Sequence, residues 1–279
     1  MTATTSQDTV VIETGTDQLL CEIRDRVAVI TLNRPDARNA LSDYLTPALR
    51  RMVKERGDDE RVGALLITGA GTAFCAGGDV TGMGDNSSKK SMSREERIAD
   101  LLERQRLLTG ALVAVRKPTV AALPGAAAGA GLAIALACDI RIAARSAFVS
   151  AGYARVGLSG DYGIAWLLSR TVGSPIAREM MFTSDRVDAE RAERIGLFNR
   201  VVADETLQDQ SFAMARSLAH GPAVALRHMK DNLDEAAFID FDTALEHEAH
   251  RLVDASRTDD HREAVRAFIE KRKPNFTGR

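Results

Sequence analysis

The hydrophobic pattern alternates between a strand-like and a helix-like period along about the first 200 residues. Such alternation is typical of α/β proteins, in which helical crossovers join the strands of a sheet. The dipeptide Asp25-Arg26 stands between two adjacent strand-like runs and predicts a hairpin turn. The predicted strands are 19–24, 27–33, 63–68, 120–123 and 140–143. One predicted helix begins after the N-cap candidate Ser42, and another spans 97–115.

Beyond Tyr162 the apolar spacing becomes helical throughout. We therefore predict an α/β core over residues 17–200 and a helical region over 201–279, which packs on its own core or on a neighbouring subunit. The polar residues 1–16 are predicted to form a leader, and the polar residues 81–95 a surface loop. The predicted C-terminal segments are 164–172, 175–182, 188–197, 205–220 and two charged helices.

Charge and composition exclude several classes of protein. The chain has 37 Lys and Arg against 39 Asp and Glu, so it lacks the overall basic excess of a general nucleic-acid binder. It has no apolar run of the roughly 18 residues that a membrane span needs, and no secretory signal pattern. Its three cysteines are far apart and lack a CxxC motif, so we expect no disulfide framework and a reducing cytoplasm.

Common cofactor and nucleophile motifs are also missing from the sequence. It contains neither GxxxxGK[ST] nor GxSxG, and the Gly129/Gly131 pair lacks the third glycine of a dinucleotide fingerprint. The five histidines all lie in the helical third, and the His247/His250 pair is not part of an HExxH motif. We expect surface histidines, no metal site and no separate cofactor.

Two glycine-rich corners, residues 74–79 and 124–131, each follow a predicted strand. Small residues at such a corner let backbone N–H groups point outward, and two converging N–H groups would form an oxyanion hole. The alternative is that glycine and alanine only permit close packing here.

Together with their flanking motifs, these corners resemble the crotonase superfamily, the enoyl-CoA hydratase/isomerase family. The resemblance implies a crotonase-like α/β core with a helical C-terminal region, acting on acyl-CoA thioesters. It runs from about residue 20 to 276 and rests on ITLNRPDARNAL (30–41), AFCAGGD (73–79), KPTVAA (117–122) followed by PGAAAGAG (124–131), and AFIEKRKPNF (267–276).

The resemblance also implies roles for individual residues. The N–H groups of Gly78 and Ala130 would hold the thioester oxygen, although Ala130 replaces the glycine usual in the family. Phe268 and Lys271 match tail positions that contact the CoA of a neighbouring subunit in family trimers; a solvated basic helix end is the alternative. The other positions assigned to binding of substrate or CoA are Arg38, Ala40, Ala76, Asp79 and Tyr153.

The acid–base residues depart from the hydratase pattern. The two glutamate positions of typical hydratases correspond to Ala133 and to Gly152 or Tyr153. A different carboxylate, Asp161, lies in VGLSGDYG (156–163), which resembles the acid-bearing segment of Δ3,Δ2-enoyl-CoA isomerases and of ring-opening isomerases of phenylacetyl-CoA breakdown. The alternative is that Asp161 caps the helix beginning at Ile164.

We therefore expect an isomerase of unsaturated acyl-CoA in which Asp161 carries the proton. Hydration of a 2-enoyl-CoA and a non-catalytic CoA-binding relative are the alternatives. Coenzyme A would enter only as part of the substrate, without nucleic-acid or membrane partners. The resemblance implies a homotrimer or a dimer of trimers.

Overall fold

The computed structural model describes residues 9–79 and 92–279. Within them, one sheet of seven strands has the order β1-β2-β3-β4-β6-β8-β11, and a smaller sheet has the order β10-β9-β7-β5. The strands are β1 Val10–Ile12, β2 Leu19–Arg24, β3 Val27–Leu32, β4 Ala64–Gly69, β5 Ala73–Cys75, β6 Thr119–Leu123, β7 Ala126–Ala128, β8 Ile140–Ala144, β9 Phe148–Ser150, β10 Val187–Asp188 and β11 Arg200–Val202.

Helices cover the sheets and form the C-terminal part of the chain. They are α1 Leu45–Asp58, α2 Arg94–Gln105, α3 Ala111–Ala114, α4 Ala130–Leu136, α5 Ile164–Thr183, α6 Ala189–Arg194, α7 Leu207–Ala219, α8 Ala223–Glu235, α9 Phe241–Ser256 and α10 Asp259–Ile269. Within the described ranges, no helix is long and apolar enough to cross a membrane.

The large sheet is antiparallel from β1 to β3 and parallel from β3 through β4, β6 and β8 to β11. Every residue of β4 and β6 is buried, as expected for parallel strands covered on both faces. Asp25 and Arg26 both have positive φ, of 49° and 64°, which suits a two-residue hairpin between twisted strands. The predicted α/β alternation and hairpin are therefore confirmed.

The short strands were missed by the sequence analysis. β1 lies in the predicted leader, the small sheet was not predicted, and β10 and β11 interrupt the region predicted as all helical. Strands of two or three residues are too short to show an alternating pattern. The predicted boundary after residue 200 consequently falls within β11, and α7 packs on the large sheet beyond it.

The helix predicted over 97–115 begins earlier and changes its winding. Ser93 and Glu96 form a reciprocal capping box, so α2 starts at Arg94. A π-helical turn, Arg106–Gly110, separates α2 from α3. Most of the loop predicted at 81–95 lies outside the described residues. Gly173, at φ 75°, breaks the helical geometry within α5 and confirms the two segments predicted there.

The last three helices leave much of their apolar surface exposed. α8 packs on α9, α9 packs on α10, and neither α8 nor α9 has a fully buried residue. Large apolar side chains on this surface are exposed: Leu233, Phe238, Phe241, Leu245, Leu252, Val253, Val265, Phe268 and Ile269.

Candidate active site

A cavity of about 960 Å³ lies between α1, α2 and the two glycine-rich corners. Gly78, Asp79, Ala130 and Asp161, all singled out in the sequence, line it together. These residues come from three distant segments of the chain, so their meeting in one cavity is a property of the tertiary fold. Tyr162 and the arginines 34, 50, 94, 97 and 104 also line the cavity.

The first corner is held in place by Asn39. This fully buried side chain donates to Ala73 O at 2.8 Å and to Ala70 O at 3.0 Å, and it accepts a hydrogen bond from Arg34 N at 2.8 Å. Residues 39–41 thereby lie against residues 77–79. Leu41 N–H donates to Gly77 O and Asp79 N–H donates to Leu41 O, whereas no described residue accepts a hydrogen bond from Gly78 N–H.

The second corner places Ala130 beside the first. Gly129, with φ 51°, connects β7 to α4, and Ala130 is the first helical residue. The N–H of a first helical residue has no acceptor within its own helix. A Cβ atom at Gly77 would stand 3.5 Å from Ala130 N, and one at Gly131 would stand 2.2 Å from Cys75 O. The corners thus pack closely, and Gly78 and Ala130, whose N–H groups have no acceptor among the described residues, line the same cavity.

Asp161 is a half-buried carboxylate that accepts a hydrogen bond from the Tyr153 hydroxyl. Burial raises the pKa of the Asp161 carboxyl above its ordinary value, and the hydrogen bond from Tyr153 partly opposes this rise. The N-cap of α5 is Gly163, and no side chain caps this helix. The alternative prediction that Asp161 is an N-cap is therefore wrong.

Tyr153 lies behind Asp161 rather than in the wall of the cavity. Its side chain is buried, and burial together with the Asp161 carboxylate raises the pKa of its hydroxyl. Tyr153, assigned to substrate binding from the sequence, therefore does not line the cavity and instead donates a hydrogen bond to Asp161.

The remaining predicted binding residues are less closely associated with the cavity. Ala76, which belongs to the first corner, donates its N–H to Arg38 O at 3.0 Å, and Ala40 is buried. Arg38 and Ala40 thus lie on the segment that packs beside this corner. Phe268 is 85% exposed, and neither it nor Lys271 lines the cavity. Within a single chain, these two tail residues are not brought to the cavity.

The arginines of the cavity were missed by the sequence analysis. Arg34 contacts Asp79 Oδ2 at 3.1 Å through both terminal nitrogens, and Arg104 contacts Asp100 at 2.8 Å. Arg34 belongs to the quoted NRP motif, but the other arginines occupy helix positions that no motif marks. Only the packing of α1 and α2 shows that they face the same space.

The cysteine of the first corner is not a nucleophile at neutral pH. Cys75 is fully buried, and burial raises the pKa of its thiol to about 12, so the thiolate is scarce. Among the described residues, no group of three His, Cys, Asp or Glu side chains is placed to hold a metal ion.

Comparisons with known proteins show which proteins the chain resembles. The chain is 36% identical over 265 residues to 1,2-epoxyphenylacetyl-CoA isomerase of Escherichia coli (strain K12), covering 94% of this chain and 98% of that protein. It is 34% identical over 258 residues to short-chain-enoyl-CoA hydratase of Clostridium acetobutylicum, covering 92% and 96%. The solved enoyl-CoA hydratase of Mycobacterium smegmatis superposes with a TM-score of 0.84 at 32% identity, covering 94% and 99%.

The family assignment follows from one further match. The family model described as enoyl-CoA hydratase/isomerase matches residues 22–279. The predicted crotonase-like fold is thereby confirmed. The chain belongs to the enoyl-CoA hydratase/isomerase family, whose enzymes act on acyl-CoA thioesters.

Proposed function

We propose that this protein isomerises an unsaturated acyl-CoA and that Asp161 alone carries the proton. The observation that supports this most strongly is the placement of Asp161 in the same cavity as Gly78 and Ala130. Of the three other aspartates that line this cavity, Asp79 and Asp100 form ion pairs with arginines, and Asp43 is exposed. Asp161 instead has a raised pKa caused by burial, which suits a group that must accept and return a proton.

The thioester oxygen accepts hydrogen bonds from Gly78 N–H and Ala130 N–H in this mechanism. Removal of a proton from the acyl chain moves negative charge onto that oxygen, so both bonds strengthen as the enolate develops. Asp161 takes the proton from one carbon and returns it two carbons along, and the double bond moves. The methyl group of Ala130 is no obstacle because only the N–H is used.

A hydratase mechanism has less support from the residues. It requires one group to activate water and another to deliver a proton, each contributing about 10²–10⁴ in rate. Ala133 is fully buried in α4, and the Tyr153 hydroxyl is bonded to Asp161. Neither glutamate position therefore offers a carboxylate. The relatives include both a named isomerase and a named hydratase, so hydration of a 2-enoyl-CoA is the second candidate.

Two incubations distinguish the candidates. The protein is mixed separately with a 2-enoyl-CoA and a 3-enoyl-CoA, and the absorbance of the 2-enoyl thioester is followed. A gain from the 3-enoyl substrate indicates isomerisation, and a loss from the 2-enoyl substrate indicates hydration. No change across a range of acyl chains and ring-bearing thioesters would support the third alternative, a CoA-binding protein without catalysis.

The proposal includes assembly into a homotrimer or a dimer of trimers. The exposed apolar surface of α8, α9 and α10 provides a face that a second copy can cover. Phe268 and Lys271 would then reach the CoA bound by a neighbouring copy. A cytoplasmic location and the absence of a separate cofactor remain predictions from the sequence.

A further inference from the structure

Arg50 is unusual among the arginines of the cavity. Its side chain is half-buried on α1, and Nη2 lies 3.5 Å from the hydroxyl oxygen of Tyr162. Its Nε is buried without a hydrogen-bond partner among the described residues, and none of their carboxylates forms an ion pair with it. Arg34 and Arg104, by contrast, are each neutralised by an aspartate.

A half-buried guanidinium whose Nε has no acceptor, and which has no counter-charge among the described residues, is unfavourable for the folded protein alone. Removing a charge or an N–H donor from water costs free energy unless an acceptor compensates. Nothing in the packing of α1 requires an arginine here, because the apolar face of α1 is formed by other residues, among them Leu45, Leu49 and Val53. The position therefore favours an acceptor that arrives with the substrate.

The position of Arg50 shows which part of the substrate it would contact. Tyr162 follows Asp161 directly in the chain, and both line the cavity. In the proposed mechanism Asp161 lies against the reacting carbons, so a group beside Tyr162 and Arg50 belongs to the acyl part of the substrate. When Tyr162 accepts from Arg50, its own O–H is free to donate, and two donors then face the same space.

We propose that the acyl group carries a carboxylate, which the Arg50 guanidinium and the Tyr162 hydroxyl bind. This inference rests on the proposed function, since it identifies the substrate class of that site. A carboxylate matches the charge and the planar donor arrangement of a guanidinium better than any neutral group does. Its binding neutralises Arg50 in a position partly excluded from water.

The test measures binding of saturated thioesters, which the protein cannot isomerise. The Kd values of an ω-carboxyacyl-CoA, of the methyl-ended acyl-CoA of equal length and of CoA itself are compared by calorimetry. Wild-type protein is expected to prefer the carboxylate about ten- to hundredfold, the range of a hydrogen-bonded charge pair. Arg50→Gln should abolish this preference, and Tyr162→Phe should reduce it.

Arg51→Gln is the matched control. Arg51 is the next residue of the same helix, but it contacts Thr14 O and Glu55 outside the cavity. The Arg51→Gln substitution removes an equal charge and should leave the preference for the carboxylate-ended thioester unchanged. Thermal unfolding of each variant checks that the fold survives.

Two results would overturn the proposal. Equal binding of the two thioesters by wild-type protein would exclude a carboxylate site. Equal weakening of both thioesters and of CoA in Arg50→Gln would assign Arg50 to the CoA phosphates instead. Because no turnover is measured, a failed isomerase assay with an intact carboxylate preference would refute the proposed reaction and leave this inference standing.

Discussion

The Asp161→Asn substitution tests the proposed reaction most directly. The amide keeps the shape of the side chain, and its oxygen can still accept the hydrogen bond from the Tyr153 hydroxyl. It cannot accept a proton from the substrate. Turnover of a 3-enoyl-CoA should therefore fall by about 10²–10⁴, the usual contribution of one acid–base group.

Stability should change little in this variant. The bond from Tyr153 changes from a charge-assisted to a neutral one, which costs about 1 kcal/mol. The desolvation penalty on the carboxylate disappears at the same time, and it acts in the opposite direction. The free energy of unfolding should consequently change by less than about 1 kcal/mol, which circular dichroism in denaturant measures.

The pH dependence gives an independent measurement. The Asp161 carboxyl has a raised pKa in the folded protein, so the folded state holds its proton to higher pH than the unfolded state does. Its contribution to stability is therefore full below the unfolded pKa and is lost as pH rises through the folded pKa. Isomerase activity follows the opposite course, since it needs the ionised form, and both dependences should vanish in Asp161→Asn.

Asp185→Asn is the control, because Asp185 is an exposed surface carboxylate that pairs with Arg155. Its activity and pH profile should match the wild type. Rapid turnover in Asp161→Asn would refute the assignment of the proton carrier. The search for a carboxylate would then turn to Asp79 and to Asp100 and Glu103 of α2.

Three further predictions concern the same site and its assembly. Gly78→Pro removes one N–H donor, and turnover should fall by about 10²–10³ in a variant whose circular dichroism and CoA binding are intact; unchanged turnover would remove Gly78 from the site. Tyr153→Phe deletes the hydrogen bond that lowers the pKa of Asp161. The fall of activity on the acidic side of the pH profile should therefore move to higher pH. An unchanged acidic side would show that this hydrogen bond has no effect on the pKa of Asp161. Light scattering should find a trimer or hexamer; a stable monomer at micromolar concentration would argue against assembly and against Phe268 and Lys271 reaching a neighbouring ligand.

The sequence by itself determined the fold class and the family. The parallel strands β4 and β6 are mostly apolar over six and five residues, so they are visible as hydrophobic runs, and the Asp25-Arg26 turn is visible between alternating strands. Motifs of several residues, such as those at 30–41 and 73–79, identify the family because each keeps its local spacing. These features depend on neighbours in the chain, which is the information that a sequence pattern holds.

The tertiary structure decided what the candidate residues contact. It places the Asp161 side chain against the Tyr153 hydroxyl instead of capping α5 with it, and it brings Arg50 to Tyr162 across 112 positions of the chain. It also pairs β11 with the large sheet, although a strand of three residues is too short to show an alternating hydrophobic pattern. Contacts between distant segments depend on how whole helices and strands pack, and local patterns do not encode that packing.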